Sequence, residues 1–319
     1  MTQTNTMGKV TAVGEILVEM MSTEHGRGFT EPQTIVGPFP SGAPAIFIDQ
    51  VAKLGIATSM VGSVGDDDFG TVNTHRLERD GVDISSINIS KDRATGIAFV
   101  RYRPDGERDF LFTLNCCAAS QISTRDITAQ LASTDHLHVV GSSLTMEAVA
   151  DYVQAAIPII KSQGGTISFD PNVRPEIMQD PDQFTLLQGI LMHSDIVLPS
   201  VGELPHFCSA EDDESAIAEL LERGVPEIVL KRGKHGASRY TLQETIHHSG
   251  FQVVEVDPTG AGDCFGAAYV ACRRLGQAAE TALEHACAAG AMAVLAQGPM
   301  EGTSSLDALK TFINTNPKR

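Results

Sequence analysis

Short apolar runs and period-2 alternation dominate the first third of the chain. Lys9 to Gly14 is an apolar stretch closed by glycine, and Glu15 to Met21 continues in extended form, so both read as strand. Ser22 to Pro40 is rich in Gly, Pro and Thr and reads as loops around a short strand near Thr34–Val36. Ser41 to Gly55 reads as a helix entered through Gly42 and Pro44 and stopped by Gly55. Thr58 to Val64 is a strand, and Gly65-Asp66-Asp67-Asp68 turns into a helix reaching Arg79. Those acids suit a helix N-terminus; a metal site is the less economical reading. Gly96–Arg103 and Arg108–Leu114, joined by Pro104-Asp105-Gly106-Glu107, have the form of a β-hairpin with an Asp-Gly turn. Alternation sets Phe99, Arg101 and Arg103 on one face and Val100 and Tyr102 on the other.

From Thr124 onward helix and strand take turns. Helical spacing covers Thr124–Leu131, Met146–Gln163, Asp182–Met192, Glu211–Arg223, Asp263–Leu275, Ala279–Ala296 and Ser305–Phe312. Strands are expected at Leu137–Val140, Thr166–Phe169, Ile196–Leu198, Glu227–Leu230, Ser238–Thr241 and Gln252–Val256. This order predicts an α/β fold: a doubly wound, mostly parallel sheet flanked by helices. In such sheets ligands bind beyond the carboxyl ends of the strands.

Composition narrows the field. The 319 residues, 42% hydrophobic and 20% charged, fit a soluble globular protein with a large core. A formal charge of -17 argues against nucleic acid or an anionic membrane as partner. There is no apolar run long enough for a membrane span, and Met1 to Lys9 lacks the apolar core of a signal peptide. The six cysteines show no metal-binding spacing and read as reduced thiols, so a cytoplasmic location is expected.

The densest chemistry lies at Val253 to Gly266. Strand-favouring residues run into Asp257-Pro258-Thr259-Gly260-Ala261-Gly262-Asp263, then a helix. Glycines at a helix start let a ligand approach unpaired N–H groups, and the helix dipole favours an anion there. Asp263 among those donors is either a helix cap or a proton acceptor beside a phosphate cradle.

The string Asp257 to Phe265 resembles the C-terminal signature of the ribokinase/PfkB family of sugar kinases. The resemblance implies that Asp263 is the catalytic base and that Gly260, Ala261 and Gly262 form an anion hole with its amide. Other motifs follow in family order from Gly14 to Gly298. Gly14-Glu15-Ile16-Leu17-Val18-Glu19 is similar to the opening motif, whose last acid receives sugar hydroxyls; read alone, Glu19 fits a solvated strand acid equally well. Ser41-Gly42-Ala43-Pro44-Ala45-Ile46 resembles the first glycine motif, with Ser41 for Gly and Ile46 for the usual Asn; Gly42 is the implied substrate contact. Asp170-Pro171-Asn172-Val173-Arg174 places Asn172 toward magnesium and Arg174 toward substrate. Pro199-Ser200-Val201-Gly202-Glu203 puts Glu203 at the magnesium site, partly through water. Lys231-Arg232-Gly233-Lys234-His235-Gly236 resembles the nucleotide loop, giving Lys231, Gly233 and Gly236. Cys287 falls where the family lines adenine; the small residues around it fit a tight helix interface as well.

The resemblance implies one ribokinase-like kinase domain over 1–319, using Mg-ATP. Lid strands are expected within about 15–40 and 96–114, forming a small β-sheet over the sugar, with Tyr102 as a lid contact. Asp257 and Thr259 stand where several relatives hold potassium, and a homodimer through the lid is allowed. Ile46 and the tail Gly298-Pro299-Met300-Glu301-Gly302 look most like the tagatose kinase branch. D-Tagatose is therefore the first expectation, with fructose or 2-keto-3-deoxygluconate next. A sugar- or nucleotide-sensing homologue without chemistry is the alternative from another class.

Overall fold

The computed structural model describes residues 8–103, 108–114, 116–174 and 181–319. The expected hairpin turn at 104–107 lies outside them.

The first half comprises β1 (Lys9–Val13), β2 (Leu17–His25), β3 (Ile35–Ser41), α1 (Ala43–Lys53), β4 (Thr58–Gly65), α2 (Asp68–Arg79), β5 (Ile87–Ser90), β6 (Gly96–Tyr102), β7 (Arg108–Phe112), α3 (Ile127–Gln130), β8 (Thr134–Val140) and α4 (Glu147–Ser162). The second half comprises β9 (Thr166–Asp170), α5 (Pro181–His193), β10 (Ile196–Val197), α6 (Asp213–Glu222), β11 (Ile228–Lys231), β12 (Ala237–Tyr240), β13 (Thr245–His248), α7 (Ala261–Arg274), α8 (Ala279–Ala293) and α9 (Leu306–Thr315).

Nine strands form one sheet in the order β13-β12-β11-β10-β9-β8-β1-β4-β5. Every pairing from β5 to β11 is parallel, and β12 and β13 add antiparallel at one edge. The chain leaves β1 for β4 on one side and later returns to β8 on the other. This reversal opens a crevice at the carboxyl ends of β1 and β8. Side chains of α1, α7, α8 and α9 fill one face of the sheet. Those of α4, α5 and α6 fill the other.

A separate four-stranded sheet runs β3-β2-β6-β7. The alternation expected for β6 holds: Ala98, Val100 and Tyr102 are buried while Phe99 and Arg101 are half-buried. Asp67 caps α2, its Oδ1 accepting the Gly70 N–H at 2.8 Å, so the acidic triplet serves the helix start.

The segment Gln252–Val256 is not a strand, contrary to expectation. Val254 and Val256 are 84% and 59% exposed, so nothing buries their strand-favouring side chains. The sheet edge is already taken by β13, which its His-rich sequence does not announce. Gln252 N–H instead bonds Pro317 O, and Val256 N–H bonds Val294 O. The helix expected over Thr124–Leu131 shrinks to the single turn of α3.

One buried charge cluster ties the tail to the helices. Arg76 on α2 bonds Asp80, Glu301, Thr303 and the Met300 carbonyl, and lies 3.6 Å from Asp49 on α1. Asp49 Oδ2 accepts the Thr303 hydroxyl at 2.7 Å.

Candidate active site

The turn into α7 is tied by Asp257. Its Oδ1 accepts the N–H and hydroxyl of Thr259 at 3.0 and 2.7 Å, and its Oδ2 accepts Gly298 N–H at 3.0 Å. Gly260 follows at φ 79°, and a Cβ there would lie 2.4 Å from Pro299 O. Only glycine fits both demands. The Ala261 N–H reaches back to Pro258 O at 3.4 Å. The amides of Gly262 and Asp263 precede any helical carbonyl they could bond. Gly262 is exposed, and a Cβ on it would meet only Lys231 Nζ, at 3.5 Å. This helix start is therefore open to an anion.

Asp263, in the first turn of α7, lines a cleft of about 410 Å³. Burial pushes its carboxyl up to about 7, Asp170 adds to the rise, and Lys231 and Arg174 oppose it. A base titrating near neutrality suits proton abstraction at working pH.

Lys231, at the end of β11, donates to Asp170 Oδ2 at 2.5 Å. Burial works against its charge, but Asp170 and Glu203 outweigh that and raise its pKa. Both oxygens of Glu203 accept backbone amides: Val173 N–H at 2.8 Å and Ser200 N–H at 2.6 Å. Glu203 thus pins together the loops that follow β9 and β10. Burial and the nearby Asp170 raise its pKa. Asn172 stands in the same loop at φ 40°, its N–H bonding Asp170 Oδ1 at 3.1 Å.

The small sheet supplies the opposite wall. Glu19 on β2 is 5% exposed; its Oε1 accepts the Ser41 hydroxyl at 2.6 Å, and its buried Oε2 has no partner. Burial pushes Glu19 up to about 7 against the Ser41 bond, with Asp257 adding to the rise. A buried orphan acceptor at a cleft wall suits a ligand hydroxyl. Gly42, at φ 109°, lets the chain pass Glu15 O, which a Cβ would approach to 2.4 Å.

The structure gathers Glu19, Gly42, Asn172, Arg174, Glu203, Lys231, Thr259, Gly260, Gly262 and Asp263 around this one cleft. Other expected residues fall outside its lining. Tyr102 points from the other side of the small sheet, packs with Met21 and Val100, and sets its hydroxyl 3.8 Å from Met21 Sδ. The wall it was expected to supply comes from Arg108, Phe110, Phe112 and Leu114, on and just past β7. Gly233 and Gly236 shape the β11–β12 turn beside the cleft. At Gly236, φ is 89° and a Cβ would sit 2.0 Å from His248 O. Cys287 is buried in α8, its thiol pushed up to about 12 by burial. A Cβ on Gly290, one turn on, would lie 3.2 Å from Ala261 O, so the small residues of α8 serve a close helix contact.

Sequence reasoning assigned no role to Arg108, which donates to Thr259 Oγ1 at 2.7 Å. The signal was available: alternation from Phe110, Phe112 and Leu114 places Arg108 on the same face.

Among the described residues, no group of three or more His, Cys, Asp or Glu could hold a metal by itself. Mg²⁺ does not need one, because it retains waters and takes its other ligands from phosphates and one or two carboxylates. The open amides of α7 beside Glu203 and Asn172 fit such a shared site.

Comparison with known proteins accords with this geometry. The profile of the pfkB family carbohydrate kinases matches residues 7–306. A fructokinase from Salmonella typhimurium is 33% identical over 300 residues, covering 92% of this chain and 95% of that protein. The structure of a candidate ribokinase II from E. coli in complex with ATP and Mg²⁺ is 47% identical, with a TM-score of 0.91 over 96% of this chain and 99% of that one. A fructokinase from Vibrio cholerae bound to fructose, ADP and calcium is 25% identical, with a TM-score of 0.83 over 97% and 100% of the two chains.

Proposed function

The chain belongs to the pfkB family of carbohydrate kinases, and we propose that it transfers the γ-phosphoryl group of ATP to a primary hydroxyl of a sugar. The observation that carries this reading is Asp263, raised to about 7, in the open first turn of α7. Asp263 takes the proton of the sugar hydroxyl. That oxygen bonds to the γ-phosphorus as the bond to the bridging oxygen of ADP breaks. The amides of Gly260, Ala261, Gly262 and Asp263, with Arg174, stabilise the charge that develops on the transferred group.

Glu203 and Asn172 would hold Mg²⁺, partly through water; bound there, the ion neutralises phosphate charge. Lys231 and the Gly233–Gly236 turn stand on the nucleotide side, with Cys287 behind them. Glu19 accepts a sugar hydroxyl through its free Oε2. The small sheet acts as a lid that keeps water from competing with the sugar. Potassium beside Asp257 and Thr259, pairing of two copies through the lid and a cytoplasmic location complete the reading. One kinase domain then spans residues 1–319.

A ketohexose is the favoured acceptor. Ile46 lines the cleft and touches Gly260, and Gly298 bonds Asp257, so both marks of the tagatose kinase branch adjoin the turn. They support conversion of D-tagatose to D-tagatose 6-phosphate. The fructokinase relatives support D-fructose, and 2-keto-3-deoxygluconate is the keto-acid alternative.

Coupled ADP release with Mg-ATP across these sugars, beside Asp263→Asn, tests the reading. Sugar-dependent turnover that Asp263→Asn abolishes is expected. Equal ATP binding by both proteins with no turnover by either would replace the kinase with a sensor.

A further inference from the structure

The outward arginines of the small sheet are neutralised, and the inward one is not. Arg101 and Arg103 on β6 and just past it both pair with Asp109, Arg101 at 3.0 Å. Arg108 lines the cleft, and among the described residues its guanidinium bonds only the neutral hydroxyl of Thr259. Asp257, the acid behind that hydroxyl, is committed to Thr259 and Gly298. A second cation stands close by. Arg174 lies over the ring of Phe110 at 5.5 Å, and Arg108 lies over the same ring at 5.7 Å. Glu19, in the same wall, is pushed up to about 7 and so carries only part of a charge near neutrality. In a chain of net charge -17, two guanidiniums gathered on one ring in a cleft leave a locally positive corner.

That corner belongs to the small-sheet wall shared with Ser41, Phe112 and Leu114, whereas Lys231 supplies the cation on the β11 side. We propose that Arg108, with Arg174 beside it, binds an anionic group carried by the sugar itself, and that this group is a carboxylate. A planar guanidinium grips a carboxylate through two parallel N–H bonds. The inference rests on the kinase reading and chooses among its acceptors, placing sugar acids such as 2-keto-3-deoxygluconate above neutral ketohexoses. A sugar phosphate shares the anionic chemistry and is separated by the test.

Coupled ADP release with Mg-ATP is measured for wild type, Arg108→Gln and Arg108→Lys. The acceptors are 2-keto-3-deoxygluconate and other sugar acids, D-tagatose and D-fructose, and D-fructose 6-phosphate. Wild type should favour a sugar acid over the neutral sugars by about ten-fold or more in kcat/KM. Arg108→Gln should lower that ratio by about ten-fold or more, mainly through the acceptor KM, while Arg108→Lys keeps part of it. Neutral sugars preferred by wild type would overturn the inference and leave the kinase standing; this arm needs no variant. Preference for the sugar phosphate would overturn the carboxylate. A uniform fall in kcat across all acceptors would place Arg108 on the transferred phosphoryl group instead. No ADP release with any acceptor, at normal ATP binding, would remove the kinase reading itself.

Discussion

Ser41 Oγ donates to Glu19 Oε1 at 2.6 Å, and this bond turns the buried, partnerless Oε2 of Glu19 into the acceptor left for a ligand. Both residues depart from the family's usual Gly and Asp, and the departures complement each other: a longer acid is steadied by a hydroxyl where none is usual. The Ser41 bond also holds the Glu19 pKa down against burial. Ser41→Ala should therefore raise it further above about 7. The sugar KM should rise several-fold, more than kcat falls, and the rise should shrink as pH increases and Glu19 ionises. An equal effect at all pH values would show that Ser41 does not act through Glu19.

Asp263 links activity and stability with opposite signs. Its folded pKa is raised to about 7, so the fold prefers the protonated acid. The stabilisation is complete below the unfolded value and is lost as pH rises through about 7. Activity runs the other way, since the base works only when ionised. Asp263→Asn should cut kcat by about 10²–10⁴-fold. It should also raise the melting temperature of the ligand-free protein at about pH 8, by about 1–2 kcal/mol of stability, with little change near pH 5. Melting curves at the two pH values decide this.

Lys231 opposes the rise in the Asp263 pKa and satisfies Asp170. Lys231→Met should move the acid limb of the kcat profile to higher pH. It should also destabilise the fold, by about 3–5 kcal/mol, because it leaves a buried carboxylate unpaired. An unmoved acid limb would show that Lys231 does not tune the base.

Gly260→Ala tests the turn itself. A Cβ there meets Pro299 O at 2.4 Å and Ile46 Cγ2 at 3.3 Å, at a φ that side chains disfavour. The variant should lose about 1–3 kcal/mol in thermal unfolding. Its kcat should fall more than its ATP affinity, since the displaced amides face the transferred group.

Much of the site can be read from the sequence because it consists of local strings. Asp257 to Asp263 is one turn, and its roles depend on residues within a few positions of each other. The misplaced residues depend on distant contacts. Lys231 reads as a free phosphate cation, yet its partner Asp170 is 61 positions away. Val253 to Val256 reads as strand by propensity, but strand formation needs an open edge, and β13 occupies it. Tyr102 reads as a lid contact because alternation separates the two faces of β6 without saying which one looks into the cleft. The cores of both sheet faces are written in apolar runs, whereas the partner of each polar side chain is not.

Arg76 constrains how this sequence can change over evolutionary time. Its guanidinium meets groups from α1, α2 and the 300–303 segment at once. A substitution at Asp49, Asp80 or Thr303 alone strands a buried charge, so these positions should vary together with Arg76 across relatives or not at all. The same segment carries Pro299, whose carbonyl abuts Gly260. A chimaera that imports this segment from a relative lacking the matching arginine would inherit a misfitted anion hole, however well its own catalytic string is preserved.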